Sequence, residues 1–261
     1  MTHTTYRLPA QWEPHDAVWI GWPHKVSDWR PKFHAIPWVF TEMARHLRES
    51  EAVHILAQDA AHQAQAQQAL TRAGVDLAAD MTPESTVGPA SAHHGIQFHV
   101  LPTDRGWTRD FCPFFVQAGA GLAAVRCRFT GWARYPDHIL DAAGTLTVAR
   151  LARDSQGRPA EIVEALRHSR LAVLEGGAVD GNGRGSLLVT EECLLDPVTQ
   201  TRNPGWGKKD YAELCATYFG AGNLIWLGRG IAGDDTHGHV DDLCRFVAPD
   251  TVVLCRENNS H

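Results

Sequence analysis

Asp110, Glu175, His239 and Asp241 are the residues whose types and settings could do chemistry together. They lie in Asp104-Arg-Gly-Trp-Thr-Arg-Asp110, Leu174-Glu-Gly-Gly177 and Gly233-Asp-Asp-Thr-His-Gly-His-Val-Asp-Asp242, each a run of charge beside glycine at the edge of an apolar segment. Loops of this kind, held by a rigid scaffold, are where function usually sits. His239-Val240-Asp241 places an imidazole and a carboxylate two residues apart, on one face if the segment is an extended strand. Asp234, Asp235, His237 and Asp242 crowd the same loop. Such charge density is costly to bury without a bound cation or a purpose. The glycines after Glu175 allow a ligand or another backbone to approach closely. Trp107, three residues before Asp110, could stack on a flat cation while the acid makes paired hydrogen bonds to it.

Together these residues describe an acidic, aromatic-walled pocket suited to a planar guanidinium or a related amine. Chemistry at the central carbon of a guanidinium needs carboxylates to hold the cation, a nucleophile to attack it, and an imidazole to carry protons to the departing ammonia. His239 can be that imidazole. A competing reading is a metal-dependent hydrolase: His237 and His239, with Asp235 and Asp241 nearby, could ligate zinc or a harder divalent ion. No second His-rich or Cys-rich loop supplies further ligands. A third reading of His-x-Asp is a surface loop of mixed charge.

Composition narrows the partners. The 261 residues carry 24 Lys and Arg against 30 Asp and Glu, a net charge of −6, with no basic block of the kind that tracks a phosphate backbone. Nucleic acid is not an expected partner. The apolar runs fall far short of the ~20 residues that span a bilayer, and the first residues lack the apolar core of a signal peptide, so no membrane is expected and the location reads as cytoplasmic. Cys112, Cys127, Cys193, Cys215, Cys244 and Cys255 show no CxxC pair, which points to reduced thiols packed as small hydrophobes. Most of the 15 histidines, among them His62, His93 and His94, lie in polar stretches and read as solvated.

The elements that must position these residues alternate. Residues 33–48 space apolar groups by three and four, as a helix on a core does, with Pro37 in its first turn. A strand is expected at 52–57, a helix at 59–73 ending at Gly74, a loop at 82–95 and a strand at 97–101. That alternation is α/β. In the second half, 171–179 and 186–195 read as strands around the turn Asp180-Gly-Asn-Gly-Arg-Gly185, followed by a helix at 208–219 and a strand at 223–227. This ββαβ unit has its opening hairpin repeated at 108–130 and 239–255, with a helical region at 137–168. Similar units in series predict an architecture assembled by repetition.

With these residues in view, the sequence resembles the agmatine deiminase and bacterial-type peptidyl-arginine deiminase family of guanidine-modifying enzymes. The matching stretches are Leu8-Pro-Ala-Gln-Trp-Glu-Pro-His-Asp-Ala-Val-Trp-Ile-Gly-Trp-Pro23, Trp107-Thr-Arg-Asp-Phe-Cys-Pro113, Phe129-Thr-Gly-Trp132, Leu174-Glu-Gly-Gly177, Thr190-Glu-Glu-Cys-Leu-Leu195, Arg202-Asn-Pro204 and Asp235-Thr-His-Gly-His-Val-Asp241. The resemblance implies an α/β fold, a pseudo-symmetric five-bladed propeller of ββαβ units, with residues 1–261 as a single domain. It implies hydrolysis of a guanidino group to a ureido group and ammonia through a covalent intermediate on cysteine, without metal or cofactor. Carried over by motif, Asp110 and Asp241 grip the guanidinium nitrogens, Glu175 is the third acid, His239 the general acid and base, and Trp107 a pocket wall. The substrate it favours is agmatine, giving N-carbamoylputrescine, in a possible homo-oligomer. The family's nucleophile lies in a Gly-Gly-Gly-x-x-His-Cys type of segment that this sequence does not contain. The expectation is therefore a chain lacking its last blade and its nucleophile, with an inactive guanidinium- or polyamine-binding remnant as the alternative; Cys112 and Cys244, nearest the acids in sequence, are the candidate substitutes.

Overall fold

The chain divides into two compact units, each built from non-contiguous segments. In a computed structural model that describes residues 5–80 and 95–257, one unit comprises Met1–Glu13, Arg109–Pro136 and Glu161–His261, and the other Pro14–Thr108 and Asp137–Ala160. Strand β1 (Tyr6–Arg7) opens the first unit.

The second unit follows with β2 (Ala17–Gly21), α1 (Ile36–Leu47), β3 (Ala52–Ala57), α2 (Ala60–Arg72), α3 (Leu77–Asp80) and β4 (Gly95–Val100). Strand β3 is central and pairs in parallel with both β2 and β4. A parallel strand covered on both faces must be apolar almost throughout, and Val53, Ile55 and Ile96 are fully buried together with Leu70 of α2. Helix α1 begins beside a 3-10 turn at Phe33–Ala35 and carries Pro37 in its first turn, where no intrahelical N–H is needed. The Asp59 side chain accepts the His62 N–H at 2.8 Å and so caps α2. His62 itself is half-buried rather than solvated, its Nδ1 accepting the Gln58 N–H at 3.2 Å. His93, His94 and all of the expected 82–95 loop except Gly95 lie outside the described residues.

Helix α4 (Thr108–Phe111) leads back to the first unit and the hairpin β5 (Phe114–Ala118) and β6 (Gly121–Arg126). Helix α5 (Ile139–Leu151) belongs to the second unit, and β7 (Glu161–Glu164) pairs in parallel with β6. The helical expectation over 137–168 thus holds only as far as Leu151. Ala152 turns extended at ψ 138°, Gly157 takes φ +75°, and Pro159, with no N–H to donate, bars the helix from continuing.

A small hairpin of β8 (Leu166–Arg167) and β9 (Arg170–Leu171) precedes the ββαβ unit. That unit consists of β10 (Asp180–Gly181), β11 (Ser186–Thr190), α6 (Glu191–Leu195), α7 (Lys208–Phe219) and β12 (Asn223–Leu227), with β11 antiparallel to β10 and parallel to β12. The strand expected at 171–179 is broken: Gly176–Ala178 is a 3-10 turn. The strand expected at 186–195 stops at Thr190, whose hydroxyl accepts the Cys193 N–H at 3.1 Å and starts α6, with Glu191 and Glu192 favourably placed in the first turn. Helix α7 ends at Gly220, φ +64°, where a Cβ would sit 2.1 Å from the Tyr6 carbonyl. Only glycine fits there. The hairpin β13 (Cys244–Ala248) and β14 (Thr251–Leu254) closes the described chain. Among the described residues the strands form five separate open sheets, a mixed α/β fold. The first unit packs around Val116, Val125, Leu174, Leu187, Val189 and Tyr211.

Candidate active site

His239 is the centre of a buried acidic cluster in the first unit. Its segment is not the extended strand expected from sequence: His239 is the cap of a 3-10 turn at Val240–Asp242. The turn nonetheless folds Asp241 back onto the ring, with Asp241 Oδ1 3.8 Å from His239 Nδ1. Asp110, on α4, brings its Oδ1 to 3.8 Å from the same nitrogen. On the opposite side of the ring, Glu175 Oε2 lies 3.8 Å from Nε2. These are charge contacts rather than hydrogen bonds, and Nε2 is buried with no hydrogen-bond partner among the described residues.

Four expected site residues, Asp110, Glu175, His239 and Asp241, are therefore brought together. Trp107 belongs to the second unit, where its Nε1–H donates to Asp28 at 3.0 Å and its ring stacks on Trp29 at 4.8 Å. Within the first unit an indole does touch the cluster: Trp132 Nε1–H donates to Asp110 Oδ2 at 3.0 Å. The backbone N–H of Gly177 donates to Asp110 Oδ1 at 2.9 Å. A Cβ on Gly177 would lie 2.4 Å from His239 Nδ1 and 2.9 Å from carboxylate oxygens of both Asp110 and Asp241. The glycine keeps open the space that these three groups face.

Glu175 is held from behind. Arg202 Nε–H donates to its two oxygens at 3.2 and 3.3 Å, and the remaining guanidinium nitrogens donate to the carbonyls of Gln200 and Thr236. Asn203 clamps Val173, two residues before Glu175, by accepting its N–H at 3.0 Å and donating to its carbonyl at 2.7 Å. Asp234 shapes the other loop: Oδ2 accepts the N–H groups of Gly238 and His239, and Oδ1 accepts from Thr236. The Thr190 hydroxyl adds a bond to the Gly238 carbonyl at 2.5 Å.

The electrostatics follow from this arrangement. Burial opposes the charge on Glu175, but Arg202 and His239 outweigh it and hold the carboxyl below its ordinary range, at about 2. Burial likewise pulls the His239 imidazole down, yet Asp110, Glu175 and Asp241 hold it up at about 9. Asp241 goes the other way: burial and the neighbouring Asp110 push it up to about 6. At neutral pH the cluster holds a protonated imidazole against the ionised carboxylate of Glu175.

The metal reading does not assemble. His237 points away, with Nε2 2.8 Å from Asp196 Oδ2, and Asp235 is engaged by Tyr135 and Arg134. A different trio, Glu175, Cys193 and His239, offers ligand atoms within 4.8 Å of one another. Arg202 already occupies both Glu175 oxygens, and its positive charge opposes a cation there. Burial pushes the thiols of Cys127, Cys193 and Cys215 up, Cys215 to about 12. None of these three is a ready thiolate.

The model of the Porphyromonas-type peptidyl-arginine deiminase family matches residues 7–261. The chain belongs to this family. Among individual members of the deiminase group, it is 30% identical over 268 residues to the agmatine deiminase of Medicago truncatula, covering 95% of this chain and 61% of that protein. The solved structure of the Enterococcus faecalis agmatine deiminase shares its fold at a TM-score of 0.76 and 23% identity, over 100% of this chain and 64% of that one. A cysteine-to-serine form of the C. jejuni agmatine deiminase, solved with substrate bound, superposes at a TM-score of 0.75 and 23% identity, over 100% and 68% of the two chains. The chain spans 59–61% of the length of the curated relatives it matches. No described helix is long and apolar enough to cross a membrane.

Of the residues that hold the site, Trp132, Arg202 and Asp234 have no role in the sequence reading, whereas the close approach expected at the glycines after Glu175 is found at Gly177. Trp132 and Arg202 sit inside stretches that resemble the family, and Asp234 inside the charge-dense loop. That position was the available signal.

Proposed function

We propose that this chain carries the guanidinium-binding and proton-transfer machinery of an agmatine deiminase-type hydrolase, which converts a guanidino group to a ureido group and ammonia. The observation that carries this reading is the buried His239 imidazole, faced on Nδ1 by Asp110 and Asp241 and on Nε2 by Glu175. In this reading Asp110 and Asp241 bind the guanidinium nitrogens, with Gly177 leaving room for them. Glu175, anchored by Arg202, orients and charges His239.

The reaction proceeds in two halves. A cysteine thiolate bonds to the guanidinium carbon; the C–N bond to one terminal nitrogen then breaks as His239 delivers its proton, and ammonia leaves. Water next adds to the resulting thiouronium carbon while His239 takes its proton. The C–S bond breaks, returning the thiolate, and the remaining hydroxyl proton passes to solvent, where the released ammonia takes it up, leaving the neutral ureido group. We read the nucleophile as lying outside the six cysteines of this chain, on a glycine-rich segment of the kind the family carries. Family likeness favours agmatine as substrate, and the ββαβ series is read as blades of the family's five-bladed propeller. The raised, buried thiols of Cys127, Cys193 and Cys215 favour a second reading for the 261-residue form by itself: it binds guanidinium without turnover.

The test is ammonia and ureido-product release from agmatine by a form of the protein that includes such a cysteine segment. Turnover that Asp110→Ala and His239→Ala each abolish supports the assignment. Retained turnover in either variant overturns it.

A further inference from the structure

A cleft of about 380 Å³ in the first unit has the opposite charge to the acidic cluster. Its walls include Arg128, Thr130, Arg170, Thr201 and Trp206, with the Arg202 that holds Glu175, and no carboxylate lines it. Backbone pairing builds it: the Arg128 N–H donates to the Ala172 carbonyl at 2.7 Å, and an isolated parallel bridge joins Arg128 to Val173, just after the strand that contains Arg170. Trp206 is fixed from behind, its N–H donating to the Asn203 carbonyl at 3.1 Å and its ring set edge-on to Tyr211 at 5.2 Å.

The arginines of this region divide by what they are bonded to. Arg202 is engaged by Glu175 and two carbonyls, and neighbouring Arg167 by Asp210 and Glu213. Arg128 and Arg170 are exposed and make no side-chain hydrogen bond or ion pair with the described residues. Two guanidinium groups without a carboxylate, both lining one cleft in a chain of net charge −6, are conspicuous, because acids are in excess elsewhere to pair them. The guanidinium fork matches the oxygens of a carboxylate or phosphate and binds them bidentately. The cleft's volume falls in the range of small-ligand sites, and the indole of Trp206 supplies a flat wall.

We propose that this cleft binds a small aromatic anion, its phosphate or carboxylate clamped by Arg128 and Arg170 and its ring laid against Trp206. The site is separate in chemistry from the guanidinium pocket, which takes a cation, and it stands whether or not that reading holds.

Calorimetry of the whole 261-residue chain at low ionic strength with phenyl phosphate, benzoate and inorganic phosphate tests it. The expected result is saturable binding of phenyl phosphate or benzoate, the tighter of the two identifying the oxyanion, at least about tenfold tighter than inorganic phosphate. The Arg128→Ala/Arg170→Ala double variant, altered only at exposed positions, is expected to keep its melting temperature and bind at least about tenfold more weakly. Binding of neither aromatic anion, or equal binding by the double variant, would overturn the proposal. Inorganic phosphate binding as tightly as phenyl phosphate would overturn the part given to Trp206.

Discussion

Arg202 Nε lies 3.2 and 3.3 Å from the two carboxylate oxygens of Glu175, and both side chains are wholly excluded from solvent, at 0% exposure. A lone buried carboxylate in this position would be neutral; the guanidinium keeps it ionised, and the ionised form in turn holds the proton on His239. The charge state of the proposed acid and base is therefore set one residue away from it.

Removing the guanidinium leaves Glu175 buried and unpaired. Arg202→Met is expected to destabilise the fold by about 3–5 kcal/mol, read as a lower urea midpoint. Glu175→Gln combined with Arg202→Met is expected to recover part of that loss, because no uncompensated charge remains. A single variant as stable as wild type would contradict the pairing.

Stability is expected to fall in acid through the same pair. The Glu175 carboxyl is lowered from 4.5 to about 2, so its contribution is complete above pH 4.5 and is lost as pH falls toward 2. Denaturant melts across that window check this, with Glu175→Gln expected to flatten the dependence.

His239 titrates in the opposite sense. Its pKa is raised from 6.5 to about 9, so its stabilisation is complete below pH 6.5 and disappears as pH rises through 9. The ring resonances of His239, followed by NMR, are expected to titrate near 9 in wild type and closer to 6.5 in Asp110→Asn.

Asp241, raised from 3.8 to about 6, links ligand binding to pH. A bound guanidinium favours its ionised form, so agmatine binding is expected to strengthen as pH rises through 6 and to release protons in that range. Calorimetry in buffers of different ionisation enthalpy measures that release; its absence would remove Asp241 from the binding set.

Much of the architecture was readable because it rests on local pattern. The strand Ala52–Ala57 and the helix Lys208–Phe219 follow from apolar spacing, and both fall where expected. Asp110, Glu175, His239 and Asp241 were legible as charge beside glycine. The 137–168 region misled because Pro159 and Gly157 end the helix early and β6 captures Glu161–Glu164 as a strand. Arg202 and Trp132 were not legible as site residues. Their partners Glu175 and Asp110 lie 27 and 22 residues away in sequence, and no local spacing encodes which carboxylate a distant guanidinium or indole will meet.

The most direct measurement is calorimetry of the 261-residue chain with agmatine, set against putrescine, which keeps the amine and lacks the guanidino group. Saturable agmatine binding is expected at pH 7.5, at least about tenfold tighter than putrescine and weakened by Asp110→Asn at least as much. No agmatine binding, or equal binding by Asp110→Asn, would contradict a guanidinium site built on these acids.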